Sequence, residues 1–349
     1  MKSYLFFSIT LLFLLSSCGN NLSLSPEAND RFHLEADGAY LPIMVRGNTS
    51  SNKILLYIQG GPGLNTLDFA YVDYPNWKNN IEKDYAVAYF DQRGLGNSQG
   101  NYSLDDINID QFLKDIYQIV QLLQHRYPDA EIYLMGHSWG GWMTYLYSYT
   151  FRENPLIKGA IALNAPFTTD QNDIRWTFRR DFLLNISEEF IAEGVKVDYW
   201  AEVKAWIELH PTLSTPEEQR QWNIYANGGV AEFEAEVQIG VRDYAKVLFG
   251  SSYNVFPSLL DINKADSVTR RLFRDARDIN ALDHLNQITV PILLVTGRYD
   301  DIAPPEELVY GIELIGSEVK RLEILPDAGH DSFINQPEMF REILKDFLE

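Results

Sequence analysis

The chain of 349 residues carries 49 acidic against 29 basic side chains, a formal net charge of -20. A chain this long buries a sizeable core and implies one large domain with room for an insertion. The charge argues against a nucleic-acid partner, whose phosphates demand a basic face; it disfavours anionic substrates and suits neutral or cationic ones.

The N-terminus reads as targeting rather than fold. Lys2 is followed by an apolar run from Tyr4 to Leu15, too short to span a bilayer as a stable helix. Leu15-Ser16-Ser17-Cys18 then resembles the bacterial lipobox, so residues 1–17 are expected to be a lipoprotein signal peptide and Cys18 the lipidated first residue of the mature chain. Residues 18–30, polar and containing Pro26, read as a tether. The expected location is the bacterial cell envelope, with membrane contact through the lipid anchor, on the periplasmic or outer-surface side. An ordinary cleaved signal peptide and a secreted protein is the alternative. Cys18 is the single cysteine, so no intrachain disulfide forms and no thiol is left for catalysis or metal.

Phe32 to Val45 alternates loosely around Asp37-Gly38, the signature of a hairpin. Lys53 to Ile58 is a buried-strand run that ends in Gln59-Gly60-Gly61-Pro62-Gly63, a loop able to bring its backbone close to a ligand. Tyr85 to Phe90 is the next strand, followed by Asp91-Gln-Arg-Gly-Leu-Gly-Asn-Ser98. Asp105 to Tyr127 carries Ile109, Phe112, Leu113, Ile116, Ile119, Val120 and Leu123 at helical spacing, a crossover helix. The strand Glu131 to Met135 runs into Gly136-His137-Ser138-Trp139-Gly140, and a helix-compatible segment, Trp142 to Thr150, follows at once. Strand, sharp Gly-x-Ser-x-Gly turn and helix make a nucleophile elbow centred on Ser138. Lys158 to Leu163 is a further strand, ending at Asn164-Ala165-Pro166.

The rhythm then changes. Residues 167–282 hold no strand-like run and read as a helical cap insertion, broken at His210-Pro211, Thr215-Pro216 and Asn227-Gly-Gly229. Strands resume at Pro291 to Val295 and Arg321 to Leu325, and a helix from about Gln336 to Leu348 closes the chain. The expectation is an α/β fold, a mostly parallel sheet with helices on both faces, built from residues 31–166 and 283–349. Sites in such sheets lie at the carboxyl ends of the strands.

A serine hydroxyl needs a base, and the base an orienting carboxylate. In this architecture the chain order is Ser, then Asp or Glu, then His. Of six histidines only His330, in Pro326-Asp-Ala-Gly-His-Asp331, follows the last strand, and it is the expected base. His137 adjoins the serine, so its side chain is expected to point elsewhere. The carboxylate belongs in the loop after Pro291 to Val295; Asp300 is the first choice, and counting along a loop leaves Asp301 open. Backbone N–H donors for a tetrahedral oxyanion are expected from Trp139 and Gly61. The histidines show no metal-ligand spacing, and neither metal nor cofactor is expected.

Gln59-Gly-Gly-Pro-Gly63, Asp91 to Ser98 and Gly136-His-Ser-Trp-Gly-Gly141, supported by Gly297-Arg-Tyr-Asp300 and Ala328-Gly-His330, resemble the α/β-hydrolase superfamily and, within it, the prolyl iminopeptidase-like group. The resemblance implies hydrolysis of an amide or ester through an acyl-enzyme, under a cap whose acids bind the free α-amine of a peptide. An exopeptidase acting on small peptides is the leading expectation. A carboxylesterase or other small-molecule hydrolase is the alternative, and a non-catalytic ligand-binding lipoprotein a further one. Trp176, Trp200, Trp206 and Trp222 read as packing within the cap. Glu202, Glu208, Glu232, Glu234 and Glu236 are the acids from which an amine-binding pair is sought; solvated helix faces are the bland reading. Arg93 reads as an anchor for its loop through charge-assisted hydrogen bonds.

Overall fold

The computed structural model describes residues 28–63, 70, 77–168, 173–213, 215–234 and 262–349. Cys18, the leader and Glu236 lie outside the described residues. The strands are β1 (Ala28–Ala36), β2 (Ala39–Gly47), β3 (Lys53–Ile58), β4 (Ala86–Phe90), β5 (Gln99–Gly100), β6 (Glu131–His137), β7 (Gly159–Leu163), β8 (Ile292–Gly297) and β9 (Lys320–Leu325). They form one sheet in the order β1-β2-β4-β3-β6-β7-β8-β9, with the short β5 beside β2. From β4 to β9 along that order every pairing is parallel, while β1 and β2 join antiparallel.

The hairpin β1–β2 turns at Asp37-Gly38, both with positive φ (47° and 78°), the geometry that matches the right-handed twist of the strands. Of the residues 18–30 expected to form a tether, Ala28 to Asp30 belong instead to β1, and 18–27 lie outside the described residues. The cause is a charge pair: the Asp30 carboxylate accepts from Arg126 at 2.7 Å and from the Tyr127 hydroxyl at 2.9 Å. Polar composition suggested a tether, and these long-range partners made it a strand.

The central strands are buried on both faces, and alternation sorts their side chains. Ile54, Leu56 and Ile58 of β3 join the core beneath α1 (Ile109–Arg126) and α2 (Trp139–Thr150). Leu55 and Tyr57 face the opposite core, closed by Trp77 and by Phe340, Ile343 and Leu344 of the C-terminal helix. All seven apolar positions picked out on the crossover helix are buried in α1. Arg93, with no exposed surface, donates to both carboxylate oxygens of Asp115 (2.9 and 2.7 Å) and to the carbonyls of Ala36 and Asp37. It thereby bolts its loop to α1 and to the hairpin.

After β7 the chain leaves the sheet for α3 (Asp173–Glu193), α4 (Val197–Leu209) and α5 (Pro216–Val230). Thr215 and Glu218 form a capping box, and Pro216 sits at the first helical position of α5. Trp176, Trp200 and Trp222 are buried in a separate core with Phe182, Leu183, Val203 and Ile207. Trp206 stacks on His210 at 4.2 Å. The insertion expected over residues 167–282 is not one unit, however. Its last helix, α6 (Ile262–Ala276), sends Val268, Leu272 and Ala276 into the core of the sheet body. Asp275 accepts the N–H of Ile109 at 2.7 Å, and Arg271 donates to the carbonyl of Ile107 at 3.0 Å. The ends of the excursion meet where Thr168 bridges Asn280 and the Ala281 amide donates to the Phe167 carbonyl at 3.0 Å. The chain then runs through α7 (Pro305–Leu314), between β8 and β9, to α8 (Ser332–Asn335) and α9 (Pro337–Leu348).

Candidate active site

Ser138 stands between β6 and α2 with φ 53° and ψ -117°. A non-glycine residue reaches that conformation only where its surroundings over-determine it, at a cost of about 1–3 kcal/mol. The surroundings are backbone. A Cβ at Gly136 would lie 2.1 Å from the Gly140 carbonyl oxygen, and one at Gly140 would lie 2.0 Å from the Ile58 carbonyl oxygen. Strand, helix and the end of β3 therefore close to distances that admit only hydrogen. The Ser138 amide is fixed by the Leu163 carbonyl of β7 at 2.8 Å.

The loops after β8 and β9 bring two more side chains to this point. His330 Nε2 is 2.9 Å from Ser138 Oγ, and His330 Nδ1 is 3.0 Å from Asp300 Oδ1. A carboxylate only accepts, so Nδ1 carries the proton it shares with Asp300; Nε2 presents its lone pair, and the Ser138 hydroxyl donates to it. Asp300 is fully buried. Its Oδ1 also accepts the amides of Ile302 and Ala303 at 2.9 Å each; its Oδ2 accepts from Asn164 Nδ2 at 2.9 Å and Thr296 Oγ1 at 3.2 Å. Burial alone would push this carboxyl up. The charge and hydrogen bond of His330, with the Ala303 amide and Asn164, outweigh it and hold the group below its ordinary value. On His330 burial works against the charged form, but the Asp300 carboxylate, helped by Asp331 and Glu234, wins and raises the imidazole above its ordinary value.

Asp301, the neighbour left open by sequence, does not take the bond to His330 Nδ1, which goes to Asp300. Its side chain is buried, and its carbonyl accepts from Arg179 Nε of α3 at 3.3 Å. Trp139 is the first residue of α2, whose first-turn amides have no acceptor within the helix. Gly61 lies one residue beyond Gly60 in the loop that follows β3, and Pro62 after it has no N–H to offer.

His137 departs from expectation. Its ring does turn away from the serine hydroxyl but not away from the site. It lies 5.0 Å from the His330 ring, and its Nε2 is 3.1 Å from the His330 carbonyl oxygen. A carbonyl only accepts, so His137 carries its proton on Nε2; burial lowers its pKa. Adjacency to Ser138 did not carry the ring out of the site, because Ser138 stands outside the strand that His137 ends.

Of the cap acids, Glu232 pairs with Lys196 at an exposed surface, Glu202 accepts from the Tyr225 hydroxyl, and Glu208 is exposed. Glu234 alone of the described four reaches the loops around Ser138, where both its oxygens lie 3.1 Å from the His330 amide. Asn164, Thr296 and Ser332, whose hydroxyl donates to Asn164 Oδ1 at 2.7 Å, were not picked out from sequence. Only Asn164, named as the end of the strand Lys158 to Leu163, left a trace.

An elbow serine on a largely parallel sheet, facing a histidine and a buried acid from later loops, defines the architecture of an α/β hydrolase. Residues 53–337 match the model of the alpha/beta hydrolase fold family, and the chain belongs to it. It is similar to a probable aminopeptidase of Bacillus subtilis, 24% identical over 312 residues that cover 86% of this chain and 91% of the relative. It is also similar to a proline iminopeptidase of Saccharolobus solfataricus, 22% identical over 305 residues, 86% of each chain. Among solved structures, the proline iminopeptidase of Mycobacterium smegmatis superposes with a TM-score of 0.60 at 17% identity, covering 91% of this chain and 97% of that one.

Proposed function

We propose that the protein is a serine hydrolase that removes residues from the N-terminus of small peptides through an acyl-enzyme. The observation that carries this reading is the unbroken hydrogen-bonded chain from Ser138 through His330 to Asp300, with separations of 2.9 and 3.0 Å. His330 Nε2 takes the hydroxyl proton as Ser138 Oγ attacks the carbonyl carbon. The oxyanion is held by the amides of Gly61 and Trp139. His330 returns the proton to the departing nitrogen, and the C–N bond breaks. A water, deprotonated by His330, then attacks the acyl ester, and the carboxylic acid leaves as Ser138 recovers its proton. Asp300 holds the imidazole in the tautomer this needs and stays ionised throughout.

Preference for an amine-bearing peptide rests on charge. Asp300, Asp331 and Glu234 surround the base with carboxylates, a field that suits an α-ammonium group and repels a free carboxylate. The relatives named aminopeptidase and proline iminopeptidase agree with that choice. We propose also that Cys18 carries a lipid that holds the enzyme at the bacterial envelope; Cys18→Ser is expected to move the protein from the membrane to the soluble fraction.

The test is covalent. A fluorophosphonate probe is expected to label the wild type and to leave Ser138→Ala unlabelled, with turnover down by at least about 10⁴. Prolyl p-nitroanilide against p-nitrophenyl acetate then separates peptidase from esterase. Rapid turnover of the ester with none of the anilide would replace the peptidase reading by the esterase one; a folded wild type that takes no label would end both.

A further inference from the structure

The backbone of His330 is held from two sides by groups outside the hydrogen-bonded chain from Ser138 to Asp300. On one side its carbonyl accepts from His137 Nε2 at 3.1 Å. On the other its amide donates to the Glu234 carboxylate, with both oxygens at 3.1 Å. His137 belongs to the sheet; it ends β6 and adjoins the nucleophile. Glu234 comes from the segment that follows α5 and belongs to the cap excursion.

Glu234 does not reach His330 by accident of a mobile side chain, because Phe233 before it is docked as well. The Phe233 carbonyl accepts the Gly329 amide at 2.8 Å, and the Phe233 ring stacks on Tyr299 with centroids 3.6 Å apart. Tyr299 precedes Asp300, and Gly329 precedes His330. One cap dipeptide therefore grips both loops that carry the partners of Ser138. Tyr299 is the one residue of the sheet body that joins the described cap core.

We propose that Glu234 is a positioning residue for the catalytic base: by accepting the His330 amide it ties the cap to the loop that carries the imidazole. The inference rests on the reading of His330 as the base. The cap is then a brace for the reacting groups as well as a cover over the substrate. A cap displaced from the body would release the Phe233 and Glu234 contacts together, and the imidazole would lose one of the two restraints on its backbone.

Among the described residues, the charged and titratable groups facing His330 are Asp300 and Asp301 from the loop after β8, Asp331 from its own loop, His137 from β6 and Glu234 from the cap. Among these, Asp300 bonds the ring itself and contributes the largest attraction. Burial, reinforced by Asp300 and Asp331, pushes the Glu234 carboxyl up to about 6 despite the pull of the His330 amide. It is charged above that pH, so its influence on the imidazole acts in the neutral and alkaline range.

The experiment compares wild type, Glu234→Gln and Glu234→Ala by two readouts. The first is the pH titration of the His330 Nδ1 proton followed by NMR, which needs no turnover. The second is the rate of fluorophosphonate labelling against pH; the probe bears no amine, so loss of a substrate-binding anion cannot mimic the effect. Glu234→Gln keeps an acceptor for the amide and removes the charge. It is expected to lower the His330 midpoint by about half a pH unit or more and to keep the labelling plateau within a few-fold. Glu234→Ala removes charge and acceptor, and is expected to lower the midpoint similarly and the plateau by about tenfold. Midpoints unchanged in both variants, with wild-type labelling intact, would overturn the inference and leave the serine hydrolase reading standing. Failure of the wild type to label would instead fall on that reading, while the NMR midpoints would still decide whether Glu234 acts on His330.

Discussion

The sheet body and the cap are built on different terms. The body has two cores separated by a sheet, and its reacting groups stand on backbone closed to van der Waals limits at Gly136 and Gly140. The cap has one core of aromatic rings, Trp176, Trp200 and Trp222 foremost. It touches the loops that carry His330 and Asp300 at described points that include Glu234 on His330, Phe233 on Gly329 and Tyr299, Glu189 on Arg298, Arg175 on the Ile302 carbonyl and Arg179 on the Asp301 carbonyl. What the difference teaches is a division of labour. The body sets the separations of Ser138, His330 and Asp300, and the cap acts on them through the two loops that carry His330 and Asp300.

The widest gap between the two regions is expected at neighbouring residues. Asp300 belongs to the body's hydrogen-bonded chain, and Asp301 offers its backbone carbonyl to the cap's Arg179. Asp300→Asn is expected to lower kcat by about 10⁴, because the amide no longer holds the imidazole in its working tautomer. Asp301→Asn is expected to change kcat by less than about tenfold. Steady-state kinetics on a single substrate decides it, and the reverse ranking would break the division.

Trp200→Ala sharpens the same contrast from the cap's side. Emptying this fully buried site is expected to cost about 3–5 kcal/mol. Hydrogen exchange is expected to speed up across α3, α4 and α5 while the amides of β6 and β7 keep their protection. Uniform loss of protection would mean that the two cores unfold as one.

The smallest effect is on pH. Only the neutral imidazole accepts the Ser138 proton, so kcat/KM for a neutral ester is expected to rise with pH through the His330 titration. The carboxylates around His330 favour its charged form, which places that midpoint above the ordinary histidine value of about 6.5. A midpoint below it would show that burial, and not the acidic surround of body and cap, governs the base.

Much of the body was legible because its signals are local. A central parallel strand is a short apolar run, and β3, β4, β6, β7 and β8 announce themselves so. The elbow is legible because five consecutive residues must satisfy one turn. His330 was reached through chain order. What stayed hidden is the polar shell: Asn164 meets Asp300 across 136 residues and Ser332 across 168, and neither spacing leaves a mark on the residues in between. The helix α7 was passed over because it is a short segment between two conspicuous strands. The last helix of the insertion was assigned to the cap for want of any local cue that Val268, Leu272 and Ala276 pack on the body.

The bridge from Thr168 to Asn280 has a practical consequence. Exit and return of the chain stand side by side, a gap that a few residues can span. Between them α3, α4 and α5 stand apart from the scaffold's strand order, whereas α6 fills the body's core with Val268, Leu272 and Ala276; a foreign cassette transplanted at this seam to change selectivity must therefore keep that helix.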